Sequence, residues 1–237
     1  MGNEVAQEVK SDPNFTILCG VDAHPNESLP FPIHPDFDFC PSCQCVIDFS
    51  SPQLLRSLLD YALKSHTPVV LASTGYSISD VELIRAASEK IPVFVSENLS
   101  RGMQKMRKLV REASSLPLEE FDTEIIEAHH RGKKDAPSGT AKMLARTICL
   151  ARDGAPCRIL CGRREGFSPR LTGDIGVSSV RAGGIFGEHT VLFASEDEVL
   201  EVRHTALSRR CFAKGALEAA AFLVRQSSGL FSELSNQ

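Results

Sequence analysis

The sequence predicts an α/β protein made of two parts, and three observations support this prediction. From Phe15 to about Ser100, short β-rich runs alternate with helical segments, as in a mostly parallel sheet covered by helices. After Met103, β-like runs follow one another with one long helix among them, which is typical of an α+β domain. The first β-rich run ends in Gly20-Val21-Asp22 and follows a helical segment, as in the second half of a nucleotide-binding βαβ unit. The first part is therefore predicted to be Rossmann-like.

Apolar spacing locates the elements of the first part. Leucines recur on one face along Pro52–Ser65, which indicates a helix. The segment Pro30–Cys43 carries four prolines and little periodicity, so we expect a surface excursion there. Strands are predicted at Phe15–Val21, Cys45–Ser50, Pro68–Ala72 and Ile91–Val95, and further helices at Asn3–Lys10 and Ser79–Lys90.

The second part begins with a helix and continues as a series of strands. Helices are predicted at Met103–Ser114 and at about 138–152, and a final helix at about 212–226 could return to either domain. Strands are predicted at 122–128, Arg158–Cys161, Ile175–Val180, Thr190–Ala194 and Val199–His204. The predicted domains are 1–101 with 209–237, and 102–208.

Composition and charge exclude several classes of protein. Hydrophobic residues at 42% and charged residues at 24% indicate a globular chain rather than a disordered one. The formal net charge of −4 gives no overall attraction to nucleic acid or to an acidic membrane. No run approaches the roughly 20 apolar residues of a membrane-spanning helix, and the N-terminus has no signal-peptide pattern. We expect a cytoplasmic protein without nucleic-acid or membrane partners.

Three of the eight cysteines lie within Cys40-Pro41-Ser42-Cys43-Gln44-Cys45. A Cys-x-x-Cys pair can supply half of a structural zinc site, but such a site needs a second pair. The nearest second pair, Cys157 and Cys161, is distant and differently spaced. We therefore expect reduced, structural cysteines and no metal, with a zinc-binding module as an alternative.

The densest group of reactive side chains lies in the stretch 127–141, which reads EAHHRGKKDAPSGTA. It holds seven charged or imidazole groups and follows a predicted strand, where active sites gather. Pro137 and Ser138 indicate a helix start, whose unpaired N–H groups and positive dipole form an anion site. Histidine can also transfer a proton near neutral pH. The stretch suits a ligand with several carboxylates, and a solvated basic loop is the alternative.

This stretch resembles the signature of the dihydrodipicolinate reductase family, also called 4-hydroxy-tetrahydrodipicolinate reductases. Residues 178–190, SSVRAGGIFGEHT, and 46–52, VIDFSSP, resemble the same family, so the resemblance covers nearly the whole chain. It implies reduction of a cyclic imine dicarboxylate by NADH or NADPH, on the route to diaminopimelate and lysine. It also implies a homotetramer built through the sheet of the second domain, which would be the substrate-binding and oligomerisation domain.

The resemblance assigns roles to five residues of the signature. His129 matches the catalytic proton donor and acceptor, and Lys133 matches the catalytic proton donor. His130 matches a substrate-binding histidine. Gly139 and Thr140 match the backbone pair that holds a substrate carboxylate, in agreement with the helix start expected there.

The cofactor residues are predicted at strand ends of the first part. Ala72-Ser73-Thr74-Gly75 resembles the family's Gly-Thr-Thr-Gly loop, with alanine and serine replacing glycine and threonine. Ser96-Glu97-Asn98-Leu99-Ser100 resembles its Ala-x-Asn-Phe-Ser segment. Asp22 at a strand end would bind ribose hydroxyls and repel a 2′-phosphate, which favours NADH. NADPH stays an alternative, because a lysine or arginine elsewhere could accommodate the phosphate. The predicted cofactor-binding residues are Gly2, Asp22, Ala72, Ser73, Thr74, Ser96, Glu97, Asn98 and Leu99.

Met1-Gly2 fits the end of the family's Gly-x-x-Gly-x-Met-Gly loop. The sequence therefore leads us to expect a first domain that lacks its first strand and most of that loop, through a truncation or an internal methionine taken as the start. Two functions follow from this expectation. One is an active reductase, and the other is a truncated, catalytically impaired homologue that binds a dicarboxylate or a partner.

Overall fold

The structure, a computed structural model, describes residues 1–24, 29–163 and 166–234. The chain divides into two compact units, Met1–Ser100 with Arg209–Gln237, and Arg101–Ser208. The helices are α1 (Gly2–Val9), α2 (Leu55–Ser65), α3 (Ile78–Ser88), α4 (Arg101–Ala113), α5 (Gly139–Ala151) and α6 (Arg210–Leu223). The strands are β1 (Gly20–Val21), β2 (Ile33–His34), β3 (Val46–Asp48), β4 (Val69–Leu71), β5 (Pro92–Val95), β6 (Asp122–His129), β7 (Arg158–Cys161), β8 (Asp174–Arg181), β9 (Glu188–Ala194), β10 (Val199–Thr205) and β11 (Gly229–Phe231).

The first unit is built on a parallel sheet of four strands in the order β11-β5-β4-β3. Alternate residues of a strand point to opposite faces, and this divides the apolar core. Val69 and Leu71 of β4 pack with residues of α2 and α3, whereas Val70 packs with residues of α6. The helices therefore cover both faces of a parallel sheet, which confirms the predicted Rossmann-like α/β class.

Helix α6 lies very close to the loop after β5. A Cβ atom added to Gly215 would lie 1.7 Å from the carbonyl oxygen of Leu99. Only glycine permits this approach, and the contact fixes the loop that follows β5 against α6.

Two predictions for the first unit need correction, and one of its strands was not predicted. In the predicted strand Phe15–Val21 only Gly20 and Val21 form a ladder, because the parallel pairing with β2 covers just those two residues. The proline-rich excursion contains β2 itself, Ile33–His34. Strand β11 was not predicted, because its three residues are too few to show a period.

The predicted helix at Ser79 begins one residue earlier, at Ile78, after the N-cap residue Ser77. The Ser77 hydroxyl accepts a hydrogen bond from the Asp80 N–H at 3.2 Å, and the Asp80 carboxylate accepts one from the Ser77 N–H at 2.9 Å. This reciprocal capping box satisfies two N–H groups that the helix leaves unpaired, so Ser77 rather than Ser79 determines where α3 begins.

The second unit has an α+β architecture, with a five-stranded mixed sheet in the order β10-β9-β6-β8-β7. Strands β10, β9 and β6 pair antiparallel, and β6, β8 and β7 pair parallel. Helices α4 and α5 pack on one face over a core that includes Ile125, Leu144 and Phe193. The strands and helices predicted for this unit are confirmed with shifts of at most two residues at their ends.

The expectation that all cysteines are reduced is wrong for one pair. Cys149 in α5 and Cys157 before β7 form a disulfide, with their Cα atoms 5.6 Å apart. The tight turn between α5 and β7 returns the chain to the helix end and brings the two thiols together. Cys19, Cys40, Cys43, Cys45, Cys161 and Cys211 are free thiols. Within the described part of the chain, no helix has the length and apolar character that a membrane span requires.

Candidate active site

A carboxylate and an imidazole lie side by side near the end of β6. The burial of this strand alternates, so that Thr123, Ile125, Glu127 and His129 point to the covered face of the sheet. Ile125 belongs to the core, and the next two inward positions carry polar groups instead. The strand period therefore places Glu127 and His129 together in a buried environment.

Glu127 has no exposed surface, and four groups donate hydrogen bonds to its carboxylate. Arg181 donates from both terminal nitrogens, each at 2.8 Å, and the Ser138 N–H donates at 3.2 Å. The Nδ1 of His129 lies 2.5 Å from Oε2. Burial by itself would raise the pKa of Glu127, but the hydrogen bonds from Arg181, Ser179, His129 and Ser138 outweigh it and lower the pKa to about 2. Glu127 is therefore ionised at neutral pH.

His129 is held by this carboxylate and is only 8% exposed. Because an ionised carboxylate only accepts hydrogen bonds, the Nδ1 of His129 carries a proton. Nε2 is therefore the ring nitrogen that can accept a proton or a hydrogen bond from a ligand. Nε2 lies beside Gly187, where an added Cβ would be 3.1 Å away. Burial lowers the pKa of His129, Glu127 opposes this effect, and the charges of Lys133 and Arg181 add to it. The balance favours a neutral imidazole.

The loop after β6 carries Lys133 and is fixed at several points. The Nζ of Lys133 lies 2.8 Å from Oδ1 of Asp135, and its backbone N–H donates to the His130 carbonyl at 3.1 Å. The Asp135 carbonyl accepts from Arg181 at 2.6 Å. Lys133 is partly buried and near enough to His129 for its charge to lower the pKa of the imidazole. The two predicted catalytic residues thus lie in one electrostatic environment.

Helix α5 begins directly after this loop. Its N-cap residue is Ser138, whose hydroxyl accepts from the Ala141 N–H at 3.2 Å. Gly139 and Thr140 are the first two residues of the helix, as expected. Their backbone N–H groups belong to the helix end where the dipole is positive, so this turn can bind a carboxylate.

His189 of β9 forms a buried wall of the same site. Its Nε2 lies 3.1 Å from the Ser138 hydroxyl, and its ring centroid lies 5.2 Å from that of His129. Burial lowers the pKa of His189 to about 3, so this second imidazole is neutral. Its Nδ1 is buried and has no hydrogen-bond partner among the residues that the structure describes.

Sequence reasoning placed Ser138 at a helix start but did not assign a role to Glu127, Arg181, Gly187 or His189. The spacing of Glu127 and His129 by two residues on a strand could have shown that they share a face. The other contacts depend on the pairing of β6 with β8 and β9, which places Arg181 opposite His129 and His189 opposite Glu127. The remaining predicted residue of this unit, His130, is partly buried and directly follows the last residue of β6.

The predicted cofactor residues of the first unit follow the carboxyl ends of its strands. Asp22 comes directly after β1 and is exposed, and its carboxylate accepts from the His24 N–H at 2.9 Å. Ala72, Ser73 and Thr74 follow β4. The Ser73 hydroxyl donates at 3.0 Å to Asp48, the buried last residue of β3, so the loops after β3 and β4 are tied together.

The loop after β5 is ordered by its own side chains. The Ser96 hydroxyl donates to the Asn98 carbonyl at 2.9 Å, and the Asn98 side chain accepts from the Ser100 N–H at 3.1 Å. Leu99 is buried against α6. Glu97, which lies between Ser96 and Asn98 in the sequence, is partly exposed. This loop therefore presents a fixed backbone.

Gly2 is the first residue of α1, and an added Cβ would have open space around it. Backbone loops at the carboxyl ends of parallel strands, an exposed acidic residue and a helix N-terminus are the features that hold a nicotinamide dinucleotide in sheets of this kind. The residues of the first unit therefore fit such a cofactor. Among the described residues, no group of three or more histidine, cysteine, aspartate or glutamate side chains could hold a metal ion.

A parallel Rossmann-type sheet, together with a buried imidazole, a cationic loop and a helix N-terminus, defines the class of protein. It is an oxidoreductase that uses a nicotinamide cofactor. More narrowly, the chain belongs to the dihydrodipicolinate reductase family, as the sequence resemblance indicated. The family's N-terminal model matches residues 1–99, and its C-terminal model matches residues 102–236.

Individual relatives agree with this assignment. The 4-hydroxy-tetrahydrodipicolinate reductase of Clostridium novyi (strain NT) is 39% identical over 234 residues, which cover 98% of this chain and 92% of the relative. The enzyme of the same name from Exiguobacterium sibiricum is 47% identical over 192 residues, which cover 81% of this chain and 75% of the relative.

Two solved structures share the fold. A dipicolinate-bound dihydrodipicolinate reductase from Paenisporosarcina sp. TG-14 superimposes with a TM-score of 0.75 at 22% identity, covering 98% of this chain and 93% of the other. An amine dehydrogenase from Mycobacterium smegmatis gives a TM-score of 0.62 at 9% identity, covering 97% and 91%. At such identities the likeness concerns the fold alone.

Proposed function

We propose that this protein reduces 4-hydroxy-tetrahydrodipicolinate to tetrahydrodipicolinate with NADH or NADPH, as a step of diaminopimelate and lysine biosynthesis. The observation that carries the proposal is the buried Glu127–His129 pair beside the Lys133 loop and the N-terminus of α5. This arrangement combines proton transfer with recognition of carboxylates, and a cyclic imine dicarboxylate requires both. The names of the relatives supply the substrate.

In the proposed reaction the substrate takes up a hydride and a proton and loses its 4-hydroxyl group as water, which gives tetrahydrodipicolinate. The nicotinamide cofactor supplies the hydride when it is bound. Lys133 carries an ammonium group beside Asp135 and donates the proton. His129 is neutral, with its proton on Nδ1, so Nε2 accepts a proton or a hydrogen bond on the substrate side.

The substrate carboxylates are proposed to bind at two kinds of group. The N–H groups of Gly139 and Thr140 at the start of α5 hold one carboxylate. His130 and the cations of the loop attract the other. A positive environment also stabilises the electron-rich transition state of the reduction, which gives the loop a part in catalysis as well as in binding.

Asp22 is proposed to select the cofactor. A carboxylate at the end of the strand accepts hydrogen bonds from ribose hydroxyls and repels a 2′-phosphate. We therefore propose that NADH is preferred, with Gly2, Ala72–Thr74 and Ser96–Leu99 contributing the remaining contacts.

We also propose that the protein forms a homotetramer in the cytoplasm. The face of the second unit's sheet that α4 and α5 leave uncovered carries apolar side chains on three strands: Ile126, Val180 and Val199 are 42%, 45% and 61% exposed. Burial of such a face against another copy would remove this apolar surface from water.

The test is a reductase assay together with a binding measurement. Purified protein is expected to consume NADH in the presence of 4-hydroxy-tetrahydrodipicolinate, and to bind dipicolinate in calorimetry. Binding of dipicolinate without consumption of NADH or NADPH would contradict the proposal. That result would support a protein that only binds dicarboxylates.

A further inference from the structure

Arg181 contacts two separate parts of the candidate site. Its terminal nitrogens donate to both oxygens of Glu127, each at 2.8 Å. The nitrogen Nη2 also donates to the Asp135 carbonyl at 2.6 Å. One guanidinium group therefore connects the carboxylate behind His129 with the loop that carries Lys133.

Glu127 extends this connection to two further groups. Its carboxylate accepts from the Ser138 N–H at the start of α5 and lies 2.5 Å from the Nδ1 of His129. A carboxylate with no exposed surface is costly unless its charge is paired and its oxygens are hydrogen-bonded. Arg181 supplies the positive charge that pairs with Glu127, and the other donors satisfy the remaining hydrogen bonds of the carboxylate.

We propose that Glu127 and Arg181 form a positioning pair that fixes the Nδ1–H tautomer of His129 and aligns the Lys133 loop and the α5 N-terminus with it. This inference rests on the proposed function and adds to it. Both are positioning residues, because their action on the reaction passes through His129 and Lys133. A purely structural ion pair is the competing explanation, and the protonation of His129 distinguishes the two.

Among the described residues of this unit, four charged or titratable groups face His129, each from a different part of the fold. They are Glu127 on β6, Lys133 on the loop, Arg181 on β8 and His189 on β9. Burial is the largest influence and lowers the pKa of His129, Glu127 raises it, and Lys133 and Arg181 lower it. His189 is neutral at pH 7, because its own pKa is about 3.

The two halves of the pair therefore act on His129 with opposite signs. Glu127→Gln removes the influence that favours the imidazolium, so the pKa of His129 falls further. Arg181→Gln removes a cation and leaves Glu127 to interact with His129, so the pKa of His129 rises. Arg181→Lys keeps the charge but loses the bidentate geometry, so its shift is smaller than that of Arg181→Gln.

The same unit offers a matched control in Arg158→Gln. Arg158 donates to both oxygens of Asp174 at 2.8 and 2.9 Å, and Asp174 is only 2% exposed. This pair is also bidentate, although Arg158 donates from Nε and Nη2, and it lies at the opposite end of β8 from Arg181. The Arg158→Gln variant therefore shows how breaking a bidentate ion pair affects the protein when the surroundings of His129 are unchanged.

The experiment measures the pKa of His129 by NMR titration of the ring protons, with the signal assigned by its absence in His129→Gln. The pH dependence of kcat/KM is measured on the same variants. We expect shifts of at least about half a unit, down in Glu127→Gln and up in Arg181→Gln, and none in Arg158→Gln. We expect kcat to fall about tenfold or more in both pair variants while KM changes less than about threefold, because positioning acts on the chemical step.

Shifts of the same sign in the two variants, or unchanged titration and turnover, would overturn the inference. If Arg181→Gln does not fold, Arg181→Lys and Glu127→Gln still give the comparison. The NMR titration does not depend on turnover. A wild-type protein without reductase activity would refute the proposed function, whereas an active enzyme with unshifted variants would refute only the positioning pair.

Discussion

The strongest quantitative prediction concerns the stability that the buried Glu127 carboxylate contributes and its dependence on pH. The perturbation is Glu127→Gln, which keeps the shape of the side chain and removes its charge. In the folded protein the pKa of Glu127 is about 2, against an ordinary value of 4.5. A group whose pKa is lowered on folding stabilises the protein above the unfolded value and loses that contribution as pH falls towards the folded value.

The magnitude follows from this difference. At pH 7 the full shift corresponds to about 3 kcal/mol, since each unit is worth about 1.4 kcal/mol. At pH 3 about 1 kcal/mol is still present. The wild-type protein should therefore exceed Glu127→Gln in unfolding free energy by an amount that shrinks by about 2 kcal/mol from pH 7 to pH 3.

The assay is urea unfolding followed by far-ultraviolet circular dichroism, at one fixed protein concentration because assembly would change apparent stability. Measuring both proteins at each pH cancels the titration of the other carboxylates. A difference that stays constant within about 0.5 kcal/mol, or that grows on acidification, would refute the account of Glu127 as an ionised, hydrogen-bonded group.

Three further predictions concern other parts of the molecule. Gly187→Ala places a methyl group about 3 Å from the Nε2 of His129, and we expect kcat to fall up to about tenfold with an unchanged melting temperature; unaltered kinetics would contradict this. Asp22→Ala should lower the ratio of kcat/KM for NADH to that for NADPH, because the repulsion of a 2′-phosphate is lost, and an unchanged ratio would refute its role. Reduction of the Cys149–Cys157 disulfide should lower the unfolding free energy by about 2 kcal/mol, whereas a Cys149→Ala, Cys157→Ala double variant should not respond to reductant.

The sequence predicted those parts of the fold that local patterns determine. The alternation along β6 and the apolar face of α5 are visible within ten residues, and both elements were located within one residue of their bounds. Phe15–Val21 looked equally strand-like, but pairing depends on a partner strand, and only Gly20 and Val21 have one in the ladder with β2.

The candidate site likewise has parts that local sequence patterns predict and parts that depend on tertiary structure. The cationic loop and the start of α5 could be predicted, because they lie in one continuous stretch. Arg181 is 54 residues from Glu127, and only the parallel register of β6 with β8 brings them together. The disulfide also depends on tertiary structure, since the turn between α5 and β7 determines whether Cys149 meets Cys157.

The central claim is that this chain is a reductase whose proton transfer involves His129. The most direct measurement compares steady-state NADH-dependent reduction of 4-hydroxy-tetrahydrodipicolinate by the wild-type protein and by His129→Gln, with dipicolinate affinity measured for both. The account predicts turnover by the wild type, and in the variant a kcat lower by about 100-fold with an affinity changed less than about threefold. Equal turnover in the two proteins would contradict the role of His129, and no turnover in either would contradict the proposed function.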